Sequence, residues 1–169
     1  MNIFFLHPDP RRCARWHCDK HVVKMILESC QLLYTAHWVQ AIPARPPYID
    51  IAPNGGYKPT HRNHPCAIWV RASVDNYRWL VRLTQCLLDE YQFRYGDHKI
   101  HKCQDHLEWL QLVEPVLPQI GFTPPPQAMP DEYRRPNPVV AYRLFYAFDK
   151  DARRGIVSYT KRHRPHFLK

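Results

Sequence analysis

At 169 residues the chain fits a single domain and is long enough to bury a substantial core. A formal net charge of +9 and a pI near 9.4 favour a polyanionic partner, with nucleic acid as the default, because lysines and arginines that neutralise phosphates release counterions. No stretch approaches the ~20 apolar residues of a membrane span, which argues against a membrane protein. No signal peptide precedes the six scattered cysteines, so we expect reduced thiols and a cytoplasmic location.

The first third of the chain predicts a buried entry, helix and then a long loop. The apolar run 3–6 predicts an extended or strand-like entry, and Asp9-Pro10 predicts a helix start with Asp9 as N-cap. This helix either stops near Cys18, where Asp19 caps a new one, or runs on; in both cases helix covers about 20–40. Residues 41–59 hold five prolines and no helical period, so they predict an irregular loop of a length that is often functional.

The remaining segments predict three more helices. A second long helix is predicted to begin at Pro65, with Asn63 or His64 as its cap, and to end before Gly96. A third is predicted at about 103–114 and a fourth from Pro138 to about 152, with a polyproline-type strap at 123–130 between them. The pattern therefore predicts an all-α fold: one helical domain over residues 1–169 with long proline-rich loops.

One helical stripe between residues 17 and 35 is rich in ionisable side chains. Most of the remaining circumference is apolar, whereas an ordinary surface helix is mostly polar. We therefore expect a largely buried helix whose charged stripe faces a partner, a cavity or a ligand. The alternative is a half-exposed helix with a solvated face. The stripe consists of His17, Lys20, His21, Lys24, Glu28, Gln31 and Thr35.

Several side chains suit a nucleic-acid substrate. The start of the second long helix offers free N–H groups and a positive dipole end for an anion. His17 or His21, oriented by Asp19, is a candidate general base near neutral pH. The cations suited to phosphate are Lys20, Lys24, Arg71 and Arg94, the groups at the helix start are His61, Asn63 and His64, and the aromatic side chains that can stack a base are Tyr57, Trp69 and Tyr95.

Each of these assignments has a structural alternative. His64 suits a simple helix cap, Arg94 suits a cation that complements a helix C-terminus, and large aromatic residues at such positions are often core. The His17/His21 pair has a spacing that can bind zinc, with Glu28 or Asp19 completing a site. There is no CxxC pair and no HExxH motif, so we expect no metal and no other cofactor. Phosphate-binding and serine-hydrolase loop motifs are also absent, which argues against those chemistries.

Four blocks carry a resemblance to small phage-borne proteins: WHCDKHVVKMILESCQLL, YKPTHRNHPCAIWVR, EYQFRYGDHKIH and TPPPQAMPDEY. They resemble the phage thymine-hypermodification proteins, the α-glutamyl/putrescinyl thymine pyrophosphorylase-like group with its amino acid:DNA transferases. The resemblance implies transfer of a free amino acid or amine onto the 5-methylene of pyrophosphorylated 5-hydroxymethyluracil in double-stranded DNA, with release of pyrophosphate, inside an infected bacterial host. It also implies a helical fold distantly related to DNA glycosylases.

Under that resemblance the candidate residues take specific roles. The pyrophosphate is bound by Lys20, Lys24, Arg71 and Arg94, while His17, Asp19 or His21 activates the amine. The target base is flipped into a pocket, because a duplex base is otherwise out of reach. The residues assigned to substrate contacts are Glu28, Tyr57, His61, Asn63, His64, Trp69 and Tyr95.

The short N-terminal entry followed by THRNHP and a helix also resembles the pyrimidine-dimer DNA glycosylases, which use a free N-terminal amine as nucleophile. The chain starts Met1-Asn2, and Asn2 is too large for efficient removal of Met1, which argues against an α-amino lyase mechanism. The alternatives to the transferase are thus a DNA glycosylase or lyase and a non-catalytic DNA-binding protein. The enzyme hypotheses share one spatial prediction, that Lys24, His64 and Arg71 converge on one cleft.

Overall fold

The structure is a computed structural model that describes residues 1–41 and 45–168. It begins with a buried entry of irregular backbone, in which Leu6 is fully buried. Helix α1 (Pro10–Trp16) follows, and the Asp9 carboxylate caps it by accepting a backbone N–H, as predicted. Helix α2 (Asp19–Gln40) begins only after a break at residues 17–18, so the helix stops near Cys18 as the first alternative predicted, but Cys18 and not Asp19 is the N-cap of α2.

The second long helix is in fact two helices, α3 (Pro65–Ala72) and α4 (Val74–Tyr95). Its predicted start at Pro65 and its end before Gly96 are confirmed. The prediction of one continuous helix was wrong at Ser73, whose backbone is extended and whose hydroxyl accepts the backbone N–H of Asp75 at 3.2 Å. A serine side chain offers the backbone a hydrogen bond outside the helix, which is why it favours caps over helix interiors.

The remaining helices complete an all-α architecture, as predicted. Helix α5 (Gln104–Leu112) is followed by the strap, and α6 (Pro138–Phe145) continues directly into a π-helix (Tyr146–Arg153). The part of the chain that the structure describes contains no strand. Of the predicted loop at 41–59, residues 42–44 lie outside the described residues, and the rest contains two short 3-10 turns.

Helices α2 and α4 pack against each other at the centre, α1 packs on α4, and α3 and α5 each contact both central helices. The burial of α2 is incomplete, because Val23 and Leu27 on its apolar side are 40% and 38% exposed. The prediction of a helix buried over its apolar circumference is therefore only partly right. No helix among residues 1–41 and 45–168 combines the length and the apolar character that a bilayer crossing requires.

The strap lies against α3, α4 and α6. The indole N–H of Trp69 donates to the carbonyl of Thr123 at 3.0 Å, and the side-chain amide of Asn76 bonds both the backbone and the hydroxyl of Thr123. Further along, the Tyr142 hydroxyl donates to the carbonyl of Pro126 at 2.7 Å. These contacts bring the strap to the start of the chain, where the candidate site lies.

Candidate active site

A cavity of about 320 Å³ lies between the first residues of the chain, α2 and the π-helix. This volume is in the range of ligand-binding pockets. A larger cavity of about 490 Å³, between α6 and residues 166–168, has mostly apolar walls and gathers fewer groups that can carry chemistry. We therefore place the candidate site in the smaller cavity, which is lined by Met1, Asn2, Phe4, Lys20, His21, Lys24, Met25, Glu28, Phe145, Lys150, Arg154 and Ile156.

Glu28 lines this cavity and contacts two of its amines. Its Oε2 accepts the backbone N–H of Asn2 at 3.1 Å and lies 3.9 Å from the α-amino nitrogen of Met1. Its Oε1 lies 3.1 Å from Nζ of Lys24, one helical turn earlier on the same face of α2. The Glu28 side chain is 12% exposed. A carboxylate thus lies between two amines at the wall of a cavity, an arrangement that can move protons to and from a nucleophilic amine.

Asn2 anchors the start of the chain above Glu28. Its Nδ2 donates to the carbonyl of Ala128 in the strap at 2.9 Å. Its Oδ1 accepts from the Tyr142 hydroxyl at 3.1 Å and contacts the Cys66 thiol at the start of α3. Three distant parts of the chain therefore hold the α-amino group of Met1 in place, a function of the strap that its proline pattern did not indicate.

His21 forms a neutral wall of the cavity. Its ring stacks on Phe4 with centroids 4.3 Å apart. The Tyr146 hydroxyl accepts the backbone N–H of Cys18 at 2.8 Å and is hydrogen-bonded to Nδ1 of His21, also at 2.8 Å. Burial, assisted by neighbouring positive groups such as Lys150, lowers the pKa of His21 to about 3. His21 is therefore uncharged at neutral pH and does not fit its predicted role as a general base that works near neutral pH.

His17 and Asp19 lie outside the cavity. His17 is fully buried at the end of α1, its Nδ1 donates to the carbonyl of Cys13 at 2.8 Å, and burial lowers its pKa to about 4. Burial opposes ionisation of Asp19, but hydrogen bonds from Thr160 and Arg94 outweigh it, so the pKa of Asp19 lies below its ordinary value. Both residues make contacts within the fold. The break at 17–18 also removes His17 from the polar stripe of α2.

Arg94 is also committed to the fold. Its guanidinium is fully buried, pairs with Glu90 and Asp19 at 3.1 Å, and donates to the carbonyls of His17 and Arg15. These contacts commit the Arg94 donors to the fold and not to a phosphate. Of the four cations predicted from the sequence, only Lys20 and Lys24 line the cavity.

The start of α3 lies next to the cavity without lining it. His64 caps α3 by accepting the backbone N–H of Cys66 at 3.2 Å, and its pKa is lowered by burial and by the nearby α-amino group, while Glu28 raises it. Arg71 instead donates to the carbonyl of Arg62 at 2.7 Å. Of Lys24, His64 and Arg71, only Lys24 lines the cavity. His61 and Asn63 are exposed on the loop that precedes His64.

The aromatic candidates pack within the fold. Tyr57 stacks on His106 with centroids 4.4 Å apart, Trp69 is 5% exposed, and the Tyr95 hydroxyl donates to the carbonyl of Asp19 at 3.2 Å. None of the three lines the cavity. That these three residues stack on a base stays a prediction from sequence. Their positions outside the cavity do not support it.

Sequence reasoning argued against a role for the N-terminal amine, and it missed the C-terminal side of the cavity, Phe145, Lys150 and Arg154. The run Asp149-Lys150-Asp151 with the arginines after it was a visible signal, but only the fold shows which of these charges face the cavity. Among the described residues, no three His, Cys, Asp or Glu side chains are grouped as a metal site requires.

Three buried histidines make stability depend on pH. Burial is the main cause that lowers the pKa of His17, His21 and His37, to about 4, 3 and 4, from an ordinary 6.5. Below that ordinary value the unfolded chain binds protons that the folded chain does not, so acid favours unfolding. We expect the free energy of unfolding to fall between about pH 6.5 and pH 4, by up to about 1.4 kcal/mol per pH unit for each histidine.

Denaturant unfolding at several pH values measures this slope. The variant His37→Phe lacks one of these groups and should show a shallower slope. A free energy of unfolding that stays constant over this range would contradict the neutral state assigned to His17 and His21.

Residues 1–105 of the chain match the model of a protein family described as pyrimidine dimer DNA glycosylase. No curated protein and no solved structure matches the chain. The matched region contains Met1, Lys20, Lys24 and Glu28, whereas Lys150 and Arg154 lie beyond it.

Proposed function

Since the chain belongs to the pyrimidine dimer DNA glycosylase family, we propose that it is a DNA glycosylase with lyase activity that acts on damaged or modified pyrimidines. One contact carries this proposal: the α-amino nitrogen of Met1 lies 3.9 Å from Glu28 Oε2, inside a cavity whose other charged side chains are cations. A primary amine can attack a sugar carbon as a nucleophile, and a carboxylate next to it can serve as the base that accepts its proton. The sequence-based objection concerned removal of Met1, whereas the amine of Met1 itself lies at the site.

The proposed reaction begins with the unprotonated α-amine of Met1. The amine attacks C1′ of the target nucleotide, and the C1′–N bond breaks with its electron pair going to the base, which is then protonated. Glu28 accepts the proton that the amine loses. Opening of the sugar ring leaves an imine between the amine and C1′, and removal of a proton from C2′ expels the 3′ phosphate and cuts the strand.

The cations of the cavity suit a DNA strand. Lys20, Lys24, Lys150 and Arg154 line it together, and Glu28 is the one carboxylate among its lining residues. Entry of a pyrimidine nucleotide requires that the base leave the stack, which costs least at a damaged site where stacking is already weak. Positive charge at the cavity favours the approach of the phosphates on either side of that nucleotide.

The transferase implied by the four-block resemblance is the second candidate. The same cations suit a pyrophosphate leaving group, and Glu28 suits the activation of an amine. In that reaction the α-amine of Met1 has no covalent role. The two functions therefore differ in whether the protein becomes attached to the DNA.

A direct assay separates the candidates. The protein is incubated with a duplex that carries one cyclobutane pyrimidine dimer, and in parallel with DNA that contains pyrophosphorylated 5-hydroxymethyluracil together with amino acids or polyamines. The proposed function predicts cleavage of a C1′–N bond and of the strand with the first substrate, and the base that leaves C1′ stays joined to its neighbour through the cyclobutane ring. Pyrophosphate release and a nucleoside adduct with the second would favour the transferase, and no reaction with either, despite DNA binding, would leave a non-catalytic DNA-binding protein.

A further inference from the structure

The π-helix carries a compact group of charges around one buried carboxylate. Asp149 is 2% exposed, and its Oδ2 lies 2.8 Å from Nζ of Lys150 and 2.9 Å from Nε of Arg154. Its Oδ1 lies 3.3 Å from Nη1 of Arg153. We refer to these four residues as the Asp149 cluster. Three cations share one carboxylate, so the cluster keeps an excess of two positive charges.

Asp149 stays ionised in this setting. Burial opposes its charge, but Lys150, Arg154 and Arg153 outweigh burial, and the pKa of Asp149 lies below its ordinary value. The carboxylate therefore attracts the three cations and favours the positions that they occupy around it. Cations that are positioned before a ligand arrives lose less side-chain entropy on binding it.

Two members of the cluster face the candidate site. Lys150 and Arg154 line the cavity, where Lys20 and Lys24 contribute further positive charge from α2. The Lys150 side chain is only 12% exposed, and its Nζ lies 4.3 Å from the ring centre of Phe145. The ammonium group is thus held at the cavity wall by an aromatic ring as well as by Asp149.

We propose that the Asp149 cluster binds backbone phosphates next to the nucleotide that enters the cavity. The identity of the ligand as DNA rests on the proposed function, whereas the excess positive charge and the arrangement of the cations around Asp149 do not. The cluster lies outside residues 1–105, so it belongs to a part of the chain that the family match does not cover. The C-terminal third of the chain would then supply one side of the strand-binding surface.

The salt dependence of DNA binding tests this role without any need for catalysis. The probe is a duplex with a tetrahydrofuran abasic analogue, which carries no base to release. We expect Lys150→Gln and Arg154→Gln each to weaken binding by roughly five- to tenfold at about 0.1 M salt, and to lower the slope of log affinity against log salt by about 0.9. Lys150→Arg, which keeps the charge, should keep the slope.

Arg82→Gln is the matched control, because Arg82 is exposed on α4 and does not line the cavity. It should leave the slope unchanged. If Lys150→Gln and Arg154→Gln lower the melting temperature but leave the slope at the wild-type value, the cluster has only a structural role and the proposal is overturned. A wild-type protein that binds with the expected slope but excises no base would overturn the proposed function and leave the phosphate site standing.

Discussion

Replacing Glu28 with glutamine is expected to lower the rate of base excision by between about one-hundredfold and ten-thousandfold. The amide can still accept the backbone N–H of Asn2, which lies 3.1 Å from Oε2 in the wild type. It cannot accept a proton from the α-amino group of Met1, which is the step assigned to Glu28. The rate is measured under single-turnover conditions on the duplex with one pyrimidine dimer, so that product release does not mask the chemical step.

The matched control is Glu114→Gln. Glu114 pairs with Arg78 at 2.7 Å on the surface and does not line the cavity. Its loss should leave the excision rate within about twofold, since exposed ion pairs contribute little to stability. An excision rate of Glu28→Gln equal to that of Glu114→Gln, with both proteins folded, would remove Glu28 from the mechanism.

Local patterns predicted the helix boundaries well, because caps are short-range features. Asp9 and Pro10 mark the start of α1, Pro65 marks the start of α3 and Gly96 follows the end of α4, each as predicted. The helical spacing of Lys24 and Glu28 likewise placed both side chains on the face of α2 that lines the cavity. In each case the residues that determine the helix boundary or the helix face lie within one or two turns of each other.

The catalytic arrangement could not be predicted in the same way, because it depends on contacts between distant segments. The α-amino group of Met1 reaches Glu28 only because Asn2 is fastened to Ala128 and Tyr142. Nothing in the local sequence indicates that a proline-rich strap fixes the first residues. Lys150 lines the cavity for a similar reason, since the π-helix packs against the first residues, with Nζ of Lys150 5.7 Å from the ring centre of Phe4.

The charge pattern and the helical period of the sequence also did not show which of the candidate side chains are buried. Arg94 looked like a helix-terminal cation available to phosphate, yet its guanidinium is fully buried and pairs with Glu90 and Asp19. A cation near a helix end has the same sequence pattern whether it faces solvent or a buried carboxylate. His17 was assigned to the α2 stripe because the helical repeat ignores the break before Asp19.

The α-amino group at the start of the chain is expected to be the attachment point of the DNA. When a protein that begins at Met1 reacts with dimer-containing DNA in the presence of borohydride, the imine should be reduced to a stable adduct. Other primary amines line the same cavity, those of Lys20, Lys24 and Lys150, so the position of the adduct must be determined. Digestion and mass spectrometry should place it on the N-terminal peptide.

An N-terminal extension by two residues should abolish the adduct, because it moves the free α-amine by roughly 7 Å along the chain and leaves an amide in place of the nucleophile. Arginine at Lys24 or Lys150 keeps the positive charge but removes the primary amine, and with either substitution the adduct should stay on the N-terminal peptide. An adduct on a lysine would show that the side chain, and not the α-amine, attacks C1′. Since the backbone nitrogen of Asn2 lies 3.1 Å from the same Glu28 oxygen, a chain that has lost Met1 would still present an amine to that carboxylate.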